Sequence, residues 1–194
     1  MPKLISTALA GLLVAALLTG CTGQVPAASP TPSASSATVA TPAGPPSLSD
    51  DDLYALAVSQ YRQLYAIITD VDTHGGATVF PDASRQFMMD PAWAEYDRLY
   101  RQMLLSGDRF VGEPDYRITA IAVLDGEQLA DDTIIAIQTC ELFQGAVRVD
   151  VNGEPRGDDG PVIRHLKAYL KWDSDNKLKV FILNGEGVDT CPIN

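Results

Sequence analysis

Histidine is nearly missing from the 194 residues, His74 and His165 being the only two. Most zinc-type sites therefore have no ligand set, and a base-assisted nucleophile has two positions to choose from, neither in a recognisable motif. No Gly-x-Ser-x-Gly elbow occurs, which excludes the usual hydrolase nucleophile turn, and no glycine-rich phosphate loop is present. The three cysteines, Cys21, Cys140 and Cys191, are never spaced Cys-x-x-Cys, which argues against a redox pair. Basic residues are scarce, 14 against 25 acids, for a net charge of -11. A surface this acidic repels phosphates and anionic lipid, so neither nucleic acid nor direct docking of the folded part on a membrane is expected. Asp150-Val151-Asn152-Gly153 and Asp173-Ser174-Asp175 lack the glycine and later carboxylate of a calcium loop and read as turns. Arg156-Gly157-Asp158 matches an adhesion tripeptide but reads as ordinary loop. No metal and no cofactor is expected.

One long, mostly apolar tract exists, at the start. It runs over residues 4–18 behind a single Lys3, broken only by Ser6, Thr7 and Gly11. A spanning helix needs about 20 apolar residues, so the tract reads as a cleavable export signal. It ends Leu18-Thr19-Gly20-Cys21, which resembles the lipobox of bacterial lipoproteins. That resemblance implies a signal peptide over residues 1–20 and a diacylglycerol carrying palmitate-like chains on the Cys21 thiol. The protein is then held in the bilayer by lipid on the extracytoplasmic face of the cell membrane, since two acyl chains anchor stably where one is marginal. Residues 21–47 follow as the lipidated cysteine and a linker of Ala, Ser, Thr, Pro and Gly without charge, too poor in apolar residues to form a core.

Residues 48–194 have the length of a single domain with a real core. Two cysteines remain there, outside the cytoplasm, where disulfides persist. A bond between Cys140 and Cys191 is expected, closing a loop worth roughly 4 kcal/mol in the chain-entropy account; two buried free thiols are the alternative.

Ser49 before Asp50, Asp51 and Asp52 marks a helix start, and His74-Gly75-Gly76 marks its end. Between them Leu53, Leu56, Ala57, Gln60, Leu64, Ile67 and Val71 form one stripe and Tyr54, Val58, Tyr61, Tyr65 and Ile68 another beside it. Asp52, Ala55, Ser59, Arg62, Gln63, Ala66 and Asp70 are left for solvent. Asp90-Pro91 reads as the cap and first-turn proline of a second helix ending at Ser106-Gly107, with Trp93, Tyr96, Tyr100 and Met103 inward. Strands are expected over 116–124, 133–143, 147–151, 162–172 and 178–183. In the fourth, Val162, Arg164, Leu166, Ala168 and Leu170 share one face, while His165, Lys167 and Lys171 share the other and place His165 in solvent. Helices followed by an antiparallel meander make an α+β domain.

That order, with Tyr61-Arg62-Gln63-Leu64-Tyr65 on the long helix and Leu105-Ser106-Gly107-Asp108-Arg109-Phe110 leading into the sheet, resembles the nuclear transport factor 2-like, or ketosteroid-isomerase-like, cone. The resemblance implies N-terminal helices packed in the concavity of a curved antiparallel sheet, and no catalytic residue is carried over from it. Tyr61, Tyr65, Trp93 and Tyr100 either line the mouth of such a cone as a ligand-binding set or fill its core. Three functions follow in order of expectation. The first is a non-catalytic accessory or interaction module for an envelope protein. The second is binding of a small apolar ligand in the cone interior. The third is an isomerase- or dehydratase-like enzyme using Asp70, Asp72 or a buried His165 as base.

Overall fold

The computed structural model describes residues 45–76, 78–126, 129–157 and 161–193. All lie in one unit, Pro42–Asn194. The expected signal peptide, the lipid-bearing Cys21, most of the linker and Asp158 of the adhesion-like tripeptide lie outside the described residues.

Helix α1 spans Asp50–Thr73. The Ser49 hydroxyl accepts from the Asp52 amide at 3.2 Å, and three acids in the first turn face the positive end of the helix dipole. At the other end the His74 ring donates through Nδ1 to the Asp70 carbonyl at 2.7 Å, the capping role that its position suggests. All seven residues assigned to solvent on this helix are exposed. A short 3-10 turn, Asp82–Gln86, comes before helix α2, Ala92–Ser106. Asp90 does not cap α2. Its peptide bond to Pro91 is cis, and its carboxylate lies 3.8 Å from Arg85 instead. On α2, Glu95 with Arg98 and Asp97 with Arg101 form ion pairs at helical spacing.

Four strands follow: β1 Arg109–Val123, β2 Ile135–Val149, β3 Val162–Trp172 and β4 Leu178–Val188. They form a curved antiparallel sheet in the order β1-β2-β3-β4, so the domain is α+β. The segments 133–143 and 147–151, read from sequence as separate strands, belong largely to one, with β2 ending at Val149. The apparent break is a bulge, where the β1–β2 register shifts between Gly112 and Asp115. Gly112 and Gly145 meet there at φ 122° and 79°, and a Cβ on Gly145 would stand 2.2 Å from the Glu113 carbonyl oxygen. Only glycine accepts both the conformation and the approach, and such bulges bend a sheet. Strand β1 also starts earlier than expected and β4 runs on through Gly185-Glu186-Gly187, residues whose low strand propensity hid the extension.

One face of the sheet meets the helices. Ala57, Tyr61 and Leu64 of α1 and Tyr100 and Met103 of α2 share a core with Ile135, Ile137, Ala168, Leu170 and Val180. The other face carries a smaller cluster of Leu124, Ala136, Tyr169 and Phe181. Residues 87–89 run beside β4, where the Val180 amide donates to the Phe87 carbonyl and the Met89 amide to the Val180 carbonyl, so this sheet edge is covered. Cys140 in β2 and Cys191 are joined by a disulfide with their Cα atoms 5.8 Å apart, tying the C-terminal segment to the middle of the sheet.

Candidate functional site

A cavity of about 440 Å³ opens between the C-terminal half of α1, helix α2, and the sheet where β3 begins and β4 ends. Its apolar wall includes Ile68, Leu99, Met103, Phe110, Leu166 and Leu183. Its polar groups are Asp72, Tyr96, Tyr100, Arg148, Arg164 and Glu186. The size falls within the ~300–1,000 Å³ typical of small-molecule sites, as does the mixture of a mostly apolar lining with a few placed polar groups. The strand extensions that were not legible in the sequence build part of this wall. Gly185 lies on it, and a Cβ there would press on the Leu166 side chain at 3.1 Å.

Asp72 is the group whose chemistry changes most in a useful range. It is the penultimate residue of α1, 6% exposed, and accepts a hydrogen bond from the Tyr100 hydroxyl at 2.7 Å. Burial raises its pKa from 3.8 to about 6, against the opposing pull of that hydrogen bond and of the Arg164 charge. Tyr100 in turn is pushed well above its ordinary value by burial and by the Asp72 charge, so it remains a donor at all working pH values.

Deeper in the core lies a second carboxylate. Glu141, on the inward face of β2, accepts from the Tyr61 hydroxyl at 2.5 Å, and the Thr139 hydroxyl donates to the same Tyr61 oxygen at 3.3 Å. Burial raises the pKa of Glu141, which the Tyr61 hydrogen bond and Arg164 partly offset. Tyr61 is itself held above its usual range by burial. Sequence reasoning did not single out Glu141. The signal was available in the alternation of Ile135, Ile137, Thr139, Glu141 and Phe143, which puts the carboxylate on the core face. Arg164 was placed on the apolar face of β3 by the same alternation, but without a role.

Of the four aromatic residues proposed to bind a ligand, Tyr100 lines the cavity, joined by Tyr96. Tyr61 is in the core on Glu141, and Tyr65 is half-buried beside the same core without reaching the lining. Trp93 lies elsewhere: its indole donates to the Ser84 hydroxyl at 2.8 Å, and the Arg85 guanidinium stacks 3.4 Å from the ring centroid. The three candidate bases also separate. Asp70 is exposed next to His74, Asp72 faces the cavity, and His165 points to the opposite side of the sheet. The expectation that His165 is exposed is corrected, because only 7% of it is accessible. Its Nε2 lies 3.0 Å from Gln138 Oε1 and its Nδ1 3.8 Å from Glu186. The long end of β4 and the disulfide at its cross-strand neighbour Cys140 cover it.

Among the described residues there is no cluster of metal-ligating side chains, and no helix is long and apolar enough to cross a membrane. Asp150 and Asp173 act as turn residues, as their sequences suggest. Asp150 accepts from the amides of Asn152 and Glu154, and Asp173 from those of Asp175 and Lys177.

No family model matches the chain, and no curated protein sequence matches it. Among solved structures, the intermembrane space region of the chloroplast protein ARC6 is similar at 11% sequence identity and a TM-score of 0.43, over 74% of this chain and 100% of that one. A likeness at that level carries no functional inference.

Proposed function

We propose that this protein is a bacterial lipoprotein, anchored through acylated Cys21 on the extracytoplasmic face of the cell membrane, whose single domain binds a small molecule in the cavity between its helices and its sheet. The observation that supports binding is the cavity of about 440 Å³, apolar along most of its wall, with Asp72, Tyr100 and Arg164 grouped on it. In this reading the helices lie in the hollow of the curved sheet, as in the nuclear transport factor 2-like cone. The core shared by Tyr61, Leu64, Tyr100, Ile137 and Leu170 supports that placement. The linker lifts the binding domain from the bilayer, and the acidic surface keeps it from lying down on anionic lipid.

Anchoring is tested by mass spectrometry of the membrane-extracted chain, where Cys21→Ser is expected to remove the acyl mass and release the protein. Cavity binding is tested with N-phenyl-1-naphthylamine, an apolar dye that brightens out of water. The test uses the chain lacking its first 20 residues and carrying Cys21→Ser, so that no lipid or detergent competes. Saturable binding that Leu183→Trp weakens supports the reading, and absence of saturable binding rejects it.

An interaction module remains as a second reading, favoured by Leu104 and Leu105, which are 50% and 88% exposed at the end of α2. Its test is a photo-crosslinker at position 105 in intact cells. A discrete protein adduct supports it, and adducts to lipid or solvent alone reject it.

A further inference from the structure

Arg164, on the cavity lining, makes no direct ion pair among the described residues. Glu141 of β2 and Arg164 of β3 stand directly opposite each other on neighbouring strands and on the same face. Opposite charges so placed ordinarily pair. Here Glu141 turns to the Tyr61 hydroxyl, and among the described residues Arg164 makes no ion pair, its guanidinium carbon lying 5.0 Å from the centroid of the Phe143 ring. The other arginine of the lining differs: Arg148 reaches Asp108 at 2.5 Å. Asp72 is likewise engaged, by Tyr100. Arg164 is therefore an exposed guanidinium at the rim of an apolar wall that makes no direct ion pair among the described residues, although Asp72 and Glu141 both feel its charge.

We propose that the cavity takes a small soluble amphiphile bearing one anionic group, which pairs with Arg164 while its apolar body lies against Phe110, Leu166 and Leu183. This rests on the binding function proposed above. A planar guanidinium presents two parallel N–H donors to a carboxylate or sulfonate, and the phenyl ring beneath it keeps water from one side. Asp72 on the same lining opposes a second negative charge, so a monoanion is favoured over a dianion. The acidic chain selects a free amphiphile over an anionic bilayer surface.

Two dyes differing by one group test this: N-phenyl-1-naphthylamine, and 1-anilinonaphthalene-8-sulfonate, which is the same molecule with a sulfonate. Both are titrated into the soluble Cys21→Ser chain without its first 20 residues. The sulfonate is expected to bind at least tenfold more tightly than the neutral dye. Arg164→Gln should remove that advantage, read as the ratio of the two dyes' affinities in the same variant, and Arg164→Lys should restore part of it. In the unsubstituted domain, added salt should weaken the sulfonate alone, a readout that does not depend on how the variants fold. Equal affinities for the two dyes, or an Arg164→Gln variant that weakens both alike, would overturn the anion assignment while cavity binding stands. Failure of both dyes to bind would reject the binding function itself. Co-flotation with phosphatidylglycerol vesicles that depends on Arg164 would overturn the choice of a soluble ligand.

Discussion

Replacing Asp72 by Asn should make the protein more stable at neutral pH and less so, by comparison, in acid. In the folded state Asp72 ionises at about 6 instead of the ordinary 3.8. The folded protein thus holds this proton more tightly than the unfolded chain. The associated stability is fully present below about pH 4 and is lost as pH rises through about 6. Once the group is charged in both states the cost to the folded form is about 3 kcal/mol, at about 1.4 kcal/mol per tenfold change in proton affinity. Asn is nearly the same shape and still accepts the Tyr100 hydrogen bond, so Asp72→Asn removes the ionisation without opening a hole. Urea unfolding followed by tryptophan fluorescence, with the disulfide intact, measures both chains between about pH 4 and pH 7.5. The variant is expected to gain about 2–3 kcal/mol over the parent at the upper end and nearly nothing at the lower end. Glu141 also has a raised pKa and contributes to the parent's slope in the same direction, but it is common to both proteins and largely cancels in the difference. If the variant is no more stable at about pH 7.5, or if the two stability curves run parallel, then Asp72 is not the buried carboxyl described.

Other parts of the structure give equally direct tests. Tyr61→Phe takes the hydroxyl from the buried Glu141 and should cost about 1–3 kcal/mol, the usual range for leaving a buried acceptor unpaired; a neutral result by urea titration would mean that water already reaches the carboxylate. Gly145→Ala puts a Cβ 2.2 Å from the Glu113 carbonyl oxygen at φ 79°, so a loss of about 1–3 kcal/mol is expected, and an unchanged unfolding midpoint would show that the bulge is not needed. Exchanging both Cys140 and Cys191 for Ala opens a bond between residues 51 positions apart and should lower stability by roughly 4 kcal/mol. The same shift should appear when the parent chain is reduced, and resistance of its midpoint to reductant would contradict the pairing.

The local elements were legible because their signals are local. Ser49 with three acids begins α1 and the His74 end stops it; the seven solvent positions follow from a 100° turn per residue; β3 alternates and ends where expected. Those readings need only the chemistry of neighbouring residues. The errors have a shared cause. Gly145 and the Gly185-Glu186-Gly187 stretch look like breaks, because glycine has low strand propensity, yet partner strands hold them in the sheet. His165 looked exposed since Lys167 and Lys171 share its face, but Glu186 and the disulfide close over it.

By itself, then, the sequence determined the division into an export-like start, a charge-free linker and one α+β domain, along with the periodic faces of helices and strands, all of which follow from composition and spacing. Only the tertiary structure decided which polar residues share a space. Asp72 from α1, Tyr100 from α2 and Arg164 from β3 meet on one cavity, and Glu141 turns from Arg164 to Tyr61. Those choices depend on contacts between residues 28 to 80 positions apart, and on how far burial can raise the pKa of one aspartate. Neither quantity is encoded at any single position.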